Sequence, residues 1–172
     1  MGTDDHDVLQ CDYLRAAQWN SVHDARPNIF TATAVKNLAA TKATLDSISV
    51  TFFLAEGTLL GWWRNCMPIP WDVDVDIGVM IDDWSPDIID RMVRAGFTLM
   101  NTVGSADSGL TLSFERLEVR QDIHFYYRDG AHIFYQLWQG VHSFRYVYPA
   151  FELRQALAFG TEGIFLPLNM RA

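Results

Sequence analysis

Residues 68–80 read PIPWDVDVDIGVM, and they place Asp72, Asp74 and Asp76 at alternate positions with an apolar residue after each acid. In a β-strand, alternate side chains point to one face and each residue advances about 3.3 Å. The three acids would therefore share a face at intervals of about 6.6 Å. The pattern predicts a strand over 73–79 whose apolar side chains pack in the core.

Three carboxylates at this spacing repel one another, so at least one pKa rises unless a cation lies between them. A divalent ion would remove the conflict, and hard oxygen ligands favour magnesium or manganese over zinc. The alternative is an ordinary half-exposed strand with a polar outer face. Trp71 and the two prolines directly before the acids favour the metal site.

The segment before the acids, FFLAEGTLLGWWR at 52–64, predicts a strand, a turn at Gly57 and Thr58, and a short helix. Glycine at such a junction lets a phosphate approach the backbone, and the helix N-terminus favours its negative charge. Thr58 would cap the helix or bond a phosphate oxygen, and Arg64 would bind a second oxygen. Gly-Thr is weak evidence alone, since strand-to-helix turns commonly use glycine. With the acids it predicts a site for a nucleotide phosphate.

A third element, QDIHFYY at 121–127, would place Asp122, His124 and Tyr126 on one strand face. If this strand lies beside the acidic one, Asp122 can join the metal cluster or act as a base. His124 is expected to be a polar partner on the strand. A solvated strand face is the alternative for the whole segment.

The remaining pattern predicts an α/β or α+β domain, a mixed sheet with flanking helices. Residues 1–30 are expected to be weakly ordered, and 31–172 to form the domain. Periodicity and turn residues predict further helices over 31–49 and 86–95. They also predict further strands over 50–54, 97–103, 110–119, 132–138 and 144–149, and a last hairpin at 160–167.

Composition describes a globular protein of 172 residues, enough for one domain, with a net charge of −8. This charge opposes binding to nucleic acid, which needs a basic surface. Cys11 and Cys66 are expected to be two unpaired thiols. No stretch reaches the roughly 20 apolar residues that span a bilayer, and the acidic start is unlike a secretory signal, so the chain is expected to be soluble and untargeted.

The residues GTLLG, the following arginine and IPWD resemble the LicD family of phosphotransferases, which has a nucleotidyltransferase-type fold. The segments at 61–89, 110–115, 121–127 and 143–149 are nearer to the fukutin branch of that family. The resemblance runs over about 33–169. The chain then stops at Ala172, so the domain is expected to be truncated at its C-terminus relative to the family.

The resemblance implies roles for individual residues. Asp74 and Asp76 would be the metal-binding pair, with Asp122 as the third acid, all three catalytic and holding Mg²⁺ or Mn²⁺. The substrate-binding residues would be Gly57, Thr58, Arg64 and Asp72. Asp72 is matched only in the bacterial branch. Either Asp122 or Asp72 would take the proton of the attacking hydroxyl.

The resemblance also implies an activity. A CDP-activated small alcohol would donate its phospho-alcohol, of the ribitol phosphate or phosphocholine type, to a glycan or glycoprotein hydroxyl. Other glycosylation enzymes would be partners, and the Golgi lumen or membrane the compartment. Trp62, Trp63 or Trp71 would stack on cytosine or sugar, or else be core or rim residues. Two rival functions are a nucleotidyltransferase that releases pyrophosphate and a non-catalytic domain that binds a glycan or partner.

Overall fold

The strand that carries the acids lies inside a nine-stranded mixed sheet, and the computed structural model describes residues 8–168 of the chain. The strand order is β3-β4-β5-β2-β1-β9-β8, and the β6–β7 hairpin is attached to β5 through β6. The strands are β1 (Phe52–Leu54), β2 (Asp74–Met80), β3 (Thr98–Val103), β4 (Thr111–Arg116), β5 (Val119–Asp129), β6 (His132–Gln139), β7 (His142–Pro149), β8 (Glu152–Ala158) and β9 (Thr161–Leu168).

Four α-helices accompany these strands in the described part of the chain. They are α1 (Tyr13–Val22), α2 (Ile29–Asp46), α3 (Glu56–Asn65) and α4 (Asp87–Arg94). A mixed sheet with flanking helices was expected from the sequence, and the fold class is confirmed. No helix within residues 8–168 combines the length and the apolar character needed to cross a lipid bilayer.

Strands β2 and β5 run parallel and adjacent, which is the arrangement that the sequence required for a shared cluster. Asp74 lies opposite Arg120, and Asp76 lies opposite Asp122. On the other side β1 pairs with β2 in the antiparallel sense. The two acidic segments, far apart in the chain, therefore meet in the middle of the sheet.

The two faces of the sheet have different partners. The apolar residues of β2 and β5, among them Ile77 and Phe125, pack with residues of α2 and α4 in the larger core cluster. Gln121 points to this side, because its Nε2 atom donates to Oγ1 of Thr41 in α2 at 2.6 Å. Strand alternation then directs the side chain of Asp122 to the opposite face.

The face opposite α2 and α4 is covered by a second, aromatic cluster. Phe53, Tyr126, Tyr135 and Phe151 are its largest buried members. Gly78 is needed here, because a Cβ at this position would lie 2.3 Å from the ring of Phe53. The acids lie on the same face of the sheet as the aromatic cluster, near the N-terminal ends of β2 and β5.

The N-terminal segment is described from residue 8 onward and contains a helix there. Within its described part, 8–30, helix α1 begins after Asp12, whose carboxylate accepts the backbone N–H of Arg15 at 3.0 Å. The prediction of two unpaired thiols is wrong, because Cys11 and Cys66 form a disulfide with Cα atoms 5.7 Å apart. Two cysteines 55 residues apart carry no local signal for pairing, which depends on the docking of α1 against α3.

A second difference concerns the strand predicted over 110–119. The chain turns back at Leu117 and Glu118, whose φ angles of 54° and 61° are left-handed, and this turn separates β4 from β5. Neither residue is a usual choice for such a turn, which normally uses Asn, Asp or Gly. The alternation changes phase at Glu115 and Arg116, but no glycine, asparagine or proline marks the turn in the sequence.

Candidate active site

The centre of the site is a group of three side chains on β2 and β5. Asp76, Asp122 and His124 each offer one ligand atom, and these atoms all lie within 4.8 Å of one another. The side chain of Asp76 is 14% exposed, and those of Asp122 and His124 are nearly buried. The parallel register and the two-residue period of the strands bring these groups together.

His124 is held between two polar groups. The Oδ1 atom of Asp76 accepts from Nε2 of His124 at 3.1 Å, and Nδ1 lies 3.3 Å from Oγ1 of Thr111. The sequence analysis placed His124 as a polar partner on the strand, and that description fits these contacts. Its position in the group of three is an addition that strand alternation alone did not single out.

Asp74 and Asp122 share an arginine. The Nη2 atom of Arg120 donates to Oδ2 of Asp74 at 3.0 Å and to Oδ2 of Asp122 at 2.7 Å. The sequence analysis did not identify Arg120. It lies two residues before Asp122 and therefore on the same strand face, so alternation combined with the β2–β5 register would have located it.

Arg120 does not fully offset the burial of the neighbouring acid. Burial, followed by the charge of Asp76, raises the pKa of Asp74 to about 6, although Arg120 acts in the opposite direction. The charges of Asp72 and Asp122 contribute to the same rise. Four carboxylates near the N-terminal ends of β2 and β5 thus repel one another, those of Asp72, Asp74, Asp76 and Asp122.

The buried carboxylate of Asp122 has an unused acceptor. Its Oδ1 atom is buried and has no hydrogen-bond partner among the described residues. A buried carboxylate oxygen without a partner is costly, and a bound cation would satisfy it. The oxygen-rich donor set and this free acceptor are what a Mg²⁺ or Mn²⁺ site requires.

The first turn of helix α3 lies against the acids, and Gly57 and Thr58, expected to form a turn before the helix, are already helical because α3 begins at Glu56. A Cβ on Gly57 would lie 2.6 Å from Oδ2 of Asp72 and 3.9 Å from Oδ2 of Asp76. Asp72 precedes the first residue of β2, and its Oδ1 atom accepts the N–H of Val73 at 3.0 Å. The structure therefore brings Gly57 and Asp72 to the acidic group, as the phosphate-turn hypothesis needs.

Thr58 and Arg64 make other contacts in this structure. The Oγ1 atom of Thr58 accepts the backbone N–H of Asp76 at 2.8 Å and so fixes α3 against β2. The guanidinium of Arg64 lies over the rings of Trp19 and Trp71, at 5.2 and 5.8 Å from their centroids. Their roles as phosphate ligands stay predictions.

The three tryptophans considered for stacking fall into two groups. Trp62 is 2% exposed and donates from Nε1 to the carbonyl of Leu157 at 3.0 Å, so it is a core residue. Trp63 and Trp71 are 47% and 58% exposed. Of the three, only these two expose ring surface to solvent, and Arg15 and Arg64 each lie over one of the two rings.

Comparisons with known proteins cover the part of the chain that contains Gly57 and the acidic strand. The family model described as LicD/FKTN/FKRP, nucleotidyltransferase domain, matches residues 49–169. The mouse protein named ribitol-5-phosphate transferase FKTN is 37% identical over 156 residues, which cover 84% of this chain and 33% of that protein. The human protein of the same name is 35% identical over the same length.

A more distant relative is the uncharacterized protein T07A5.1 of Caenorhabditis elegans, 29% identical over 132 residues. The chain spans about a third of the length of these relatives. The family match covers more than half of the chain, and its position coincides with the sheet and the acidic group. The chain therefore belongs to the LicD/FKTN/FKRP family, of which it carries the nucleotidyltransferase domain.

Proposed function

We propose that this chain is a metal-dependent phosphotransferase that moves a phospho-alcohol from a CDP-activated donor to a glycan hydroxyl. The observation that carries the proposal is the convergence of Asp76, Asp122 and His124 beside Gly57, in a chain of this family. The name of the mammalian relatives, ribitol-5-phosphate transferase, supports ribitol phosphate as the group transferred. Phosphocholine is the alternative group.

In this proposal Asp76 and Asp122 bind Mg²⁺ or Mn²⁺, with Asp74 or His124 completing the donor set. The metal, when bound, would neutralise charge on the diphosphate of the donor. Arg120 is 55% exposed and charged, so it can donate to a phosphate oxygen once it leaves the carboxylates.

Gly57 and the first N–H groups of α3 would bind a second phosphate oxygen, since the N-terminus of a helix favours negative charge. Asp72 lies at this turn and has no place in the group of three ligands. It is therefore the better candidate to accept the proton of the attacking hydroxyl. CMP would leave as the new phosphodiester bond forms.

The disulfide supports the compartment in this proposal. Disulfides persist in oxidising compartments and are rare in the cytosol. The Cys11–Cys66 bridge is thus in keeping with action in the Golgi lumen on glycoproteins, together with other glycosylation enzymes.

The test is product analysis with CDP-ribitol or CDP-choline, a glycan acceptor and Mn²⁺. The proposal expects CMP, whereas release of pyrophosphate would support the nucleotidyltransferase alternative. Asp76→Asn and Asp122→Asn should each abolish CMP release while the fold persists. Asp90→Asn, an exposed acid on α4, is the matched control and should keep full activity. Full activity in Asp76→Asn would overturn the proposed role of the acids.

The two hydrogen bonds of Arg120 favour a second candidate, a non-catalytic domain that binds a glycan or partner. Arg120 already bonds Asp74 and Asp122, so two of the carboxylates have a counter-ion within the protein. Calorimetry with Mn²⁺ and CDP separates the candidates. The absence of any heat of binding would favour the non-catalytic domain, and binding of CDP that depends on Mn²⁺ would favour the enzyme.

A further inference from the structure

Three tyrosines form a stack on the β6–β7 hairpin, and we call Tyr135, Tyr146 and Tyr148 the tyrosine stack. Tyr135 lies directly opposite Tyr146 in the hairpin register, with ring centroids 5.0 Å apart and planes 11° apart. The rings of Tyr135 and Tyr148 are 6.4 Å apart and 8° from parallel. The three rings therefore line one face of the hairpin in nearly the same orientation.

The stack runs from the acidic group towards solvent. At its inner end the ring of Tyr135 lies 5.1 Å from the imidazole of His124, and Tyr135 is 2% exposed. At its outer end Tyr146 is 44% exposed. A ligand lying on the outer part of the stack would be separated from His124 by the ring of Tyr135.

A carboxylate lies beside the stack. The hydroxyl of Tyr148 donates to Oε1 of Glu56 at 3.0 Å. Glu56 is exposed, begins helix α3 and directly precedes Gly57. Its φ of 43° is uncommon for a residue other than glycine, so the local backbone holds this side chain in an unusual position. A carboxylate has about four acceptor positions, so Glu56 can accept further donors.

A buried hydroxyl adds to the polar groups here. The Oη atom of Tyr126 is buried and has no hydrogen-bond partner among the described residues, and the ring of Tyr126 lies 4.9 Å from that of Tyr135. Burial, followed by the charge of Glu56, raises the pKa of Tyr148, so this phenol remains a protonated donor at neutral pH.

The chemistry of this surface selects a class of ligand. Flat aromatic rings offer apolar contact area, and phenol and carboxylate groups offer hydrogen bonds at the edge. The negative charge of Glu56 disfavours a phosphate over the tyrosine stack. A neutral molecule with many hydroxyl groups and an apolar C–H face meets both conditions.

We infer that Glu56 and the tyrosine stack form a binding subsite for a sugar ring or a sugar alcohol beside the acidic group. Its assignment to the glycan acceptor rests on the proposed function. Glu56 accepts ligand hydroxyls, Tyr146 provides the exposed ring, and Tyr148 positions the Glu56 carboxylate. Glu56 is thereby a residue that determines specificity for hydroxyl-bearing ligands over anionic ones.

Saturation-transfer NMR tests the subsite with mannose, galactose and ribitol as probes, each at millimolar concentration. The wild-type protein should transfer saturation to the C–H groups of at least one probe. Tyr146→Ala and Glu56→Gln should each weaken its apparent affinity about tenfold, as the loss of an aromatic contact or a charge-assisted hydrogen bond implies.

Val147→Ala is the matched control, because Val147 is 57% exposed and adjacent to Tyr146 but lies on the other face of β7. It should leave the transfer unchanged. Tyr148→Phe removes a single oxygen and gives the same test if Tyr146→Ala fails to fold. Absence of saturation transfer to every probe, or equal saturation transfer in wild type and all variants, would contradict the proposed subsite.

Turnover measurements separate this inference from the proposed function. With a CDP-alcohol and a glycan, Glu56→Gln should raise the acceptor KM about tenfold and leave the donor KM unchanged. If wild-type protein releases no CMP, the proposed function fails and the NMR result still decides on the subsite. If CMP is released and the acceptor KM does not change, the assignment to the acceptor fails and the proposed function stands.

Discussion

Gly57 and Asp72 lie so close together that a Cβ on Gly57 would be 2.6 Å from the Oδ2 atom of Asp72. The atom it would meet belongs to the end of a side chain, so the side chain can move while the backbone stays. The contact therefore constrains the site more than it constrains the fold.

We expect Gly57→Ala to lower CMP release by about 10²-fold, the loss that follows a misplacement of about 1 Å in an active site. Its thermal midpoint should hardly change. Alanine favours a helix over glycine by about 0.5–1 kcal/mol, and this gain offsets the cost of moving the Asp72 side chain. Activity and thermal unfolding of the same preparation check this expectation.

Gly61→Ala is the comparison, since a Cβ there would lie 2.7 Å from the backbone oxygen of Met67. That variant should lose stability. Full activity in Gly57→Ala would show that Asp72 and the turn do not need their present contact.

Arg120→Met should destabilise the protein in the absence of divalent ions. It leaves the buried carboxylate of Asp122 without its donor, which costs about 1–3 kcal/mol. Saturating Mn²⁺ should recover much of the loss if the ion binds at Asp122. Chemical unfolding with EDTA and with Mn²⁺ measures both effects. Arg128→Met, an exposed arginine further along β5, is the control, and an equal loss with and without Mn²⁺ would contradict the prediction.

The raised pKa of Asp74 predicts a pH dependence of stability without metal. Its carboxyl group binds a proton more tightly in the folded state than in the unfolded chain, where the ordinary value is 3.8. The favourable contribution is complete below that value and is lost as the pH rises through about 6. The free energy of unfolding of Asp74→Asn should therefore increase relative to that of wild type as the pH rises. Both proteins are measured with EDTA from pH 3.5 upward. A constant difference would argue against this titration.

Reduction of the Cys11–Cys66 disulfide should lower the free energy of unfolding by about 2–4 kcal/mol. The bridge joins the segment before α1 to the end of α3, so its loss frees the N-terminal segment first. Thiol titration of the native protein should find neither cysteine reactive, and a Cys11→Ser, Cys66→Ser protein should not respond to reductant. Two titratable thiols in the unreduced protein would disprove the bridge.

The turn between β4 and β5 can be improved. Replacing Leu117 with Asn and Glu118 with Gly should stabilise the protein by about 1 kcal/mol or more, because a left-handed conformation costs other residues about that much. The reciprocal variant is Gly130→Ala in the β5–β6 turn, where φ is 59° and no neighbour lies within 4 Å. Gly130→Ala should lose a similar amount of stability. A Leu117→Asn, Glu118→Gly protein that is less stable than wild type would contradict the turn geometry.

Strand alternation was sufficient to identify the acidic face. Asp74, Asp76 and Asp122 were recognisable because a buried strand rarely carries carboxylates at every second position, and the β2–β5 pairing then placed two of them opposite each other. The family resemblance located the same residues independently. These features depend on local pattern, which a sequence displays directly.

Other features depend on contacts between distant segments, and local pattern did not indicate them. The disulfide follows from the docking of α1, and the left-handed turn at Leu117 contains none of the residues that usually mark such a turn. Arg120 gained its position only from the register between two strands. Glu56 looked like an ordinary residue before Gly57, and its partner Tyr148 lies 92 residues further along the chain.

The parallel register of β2 and β5 also limits how this domain can vary. Asp76 and Asp122 face the same side only while both strands keep their pairing, so a one-residue insertion inside either strand would turn the following side chains towards α2 and α4. Extra residues between the two strands, in the loops that join α4, β3 and β4, would leave that alignment intact. Divergent members of the lineage should therefore differ in length within those loops and hold a constant count of residues inside the paired segments.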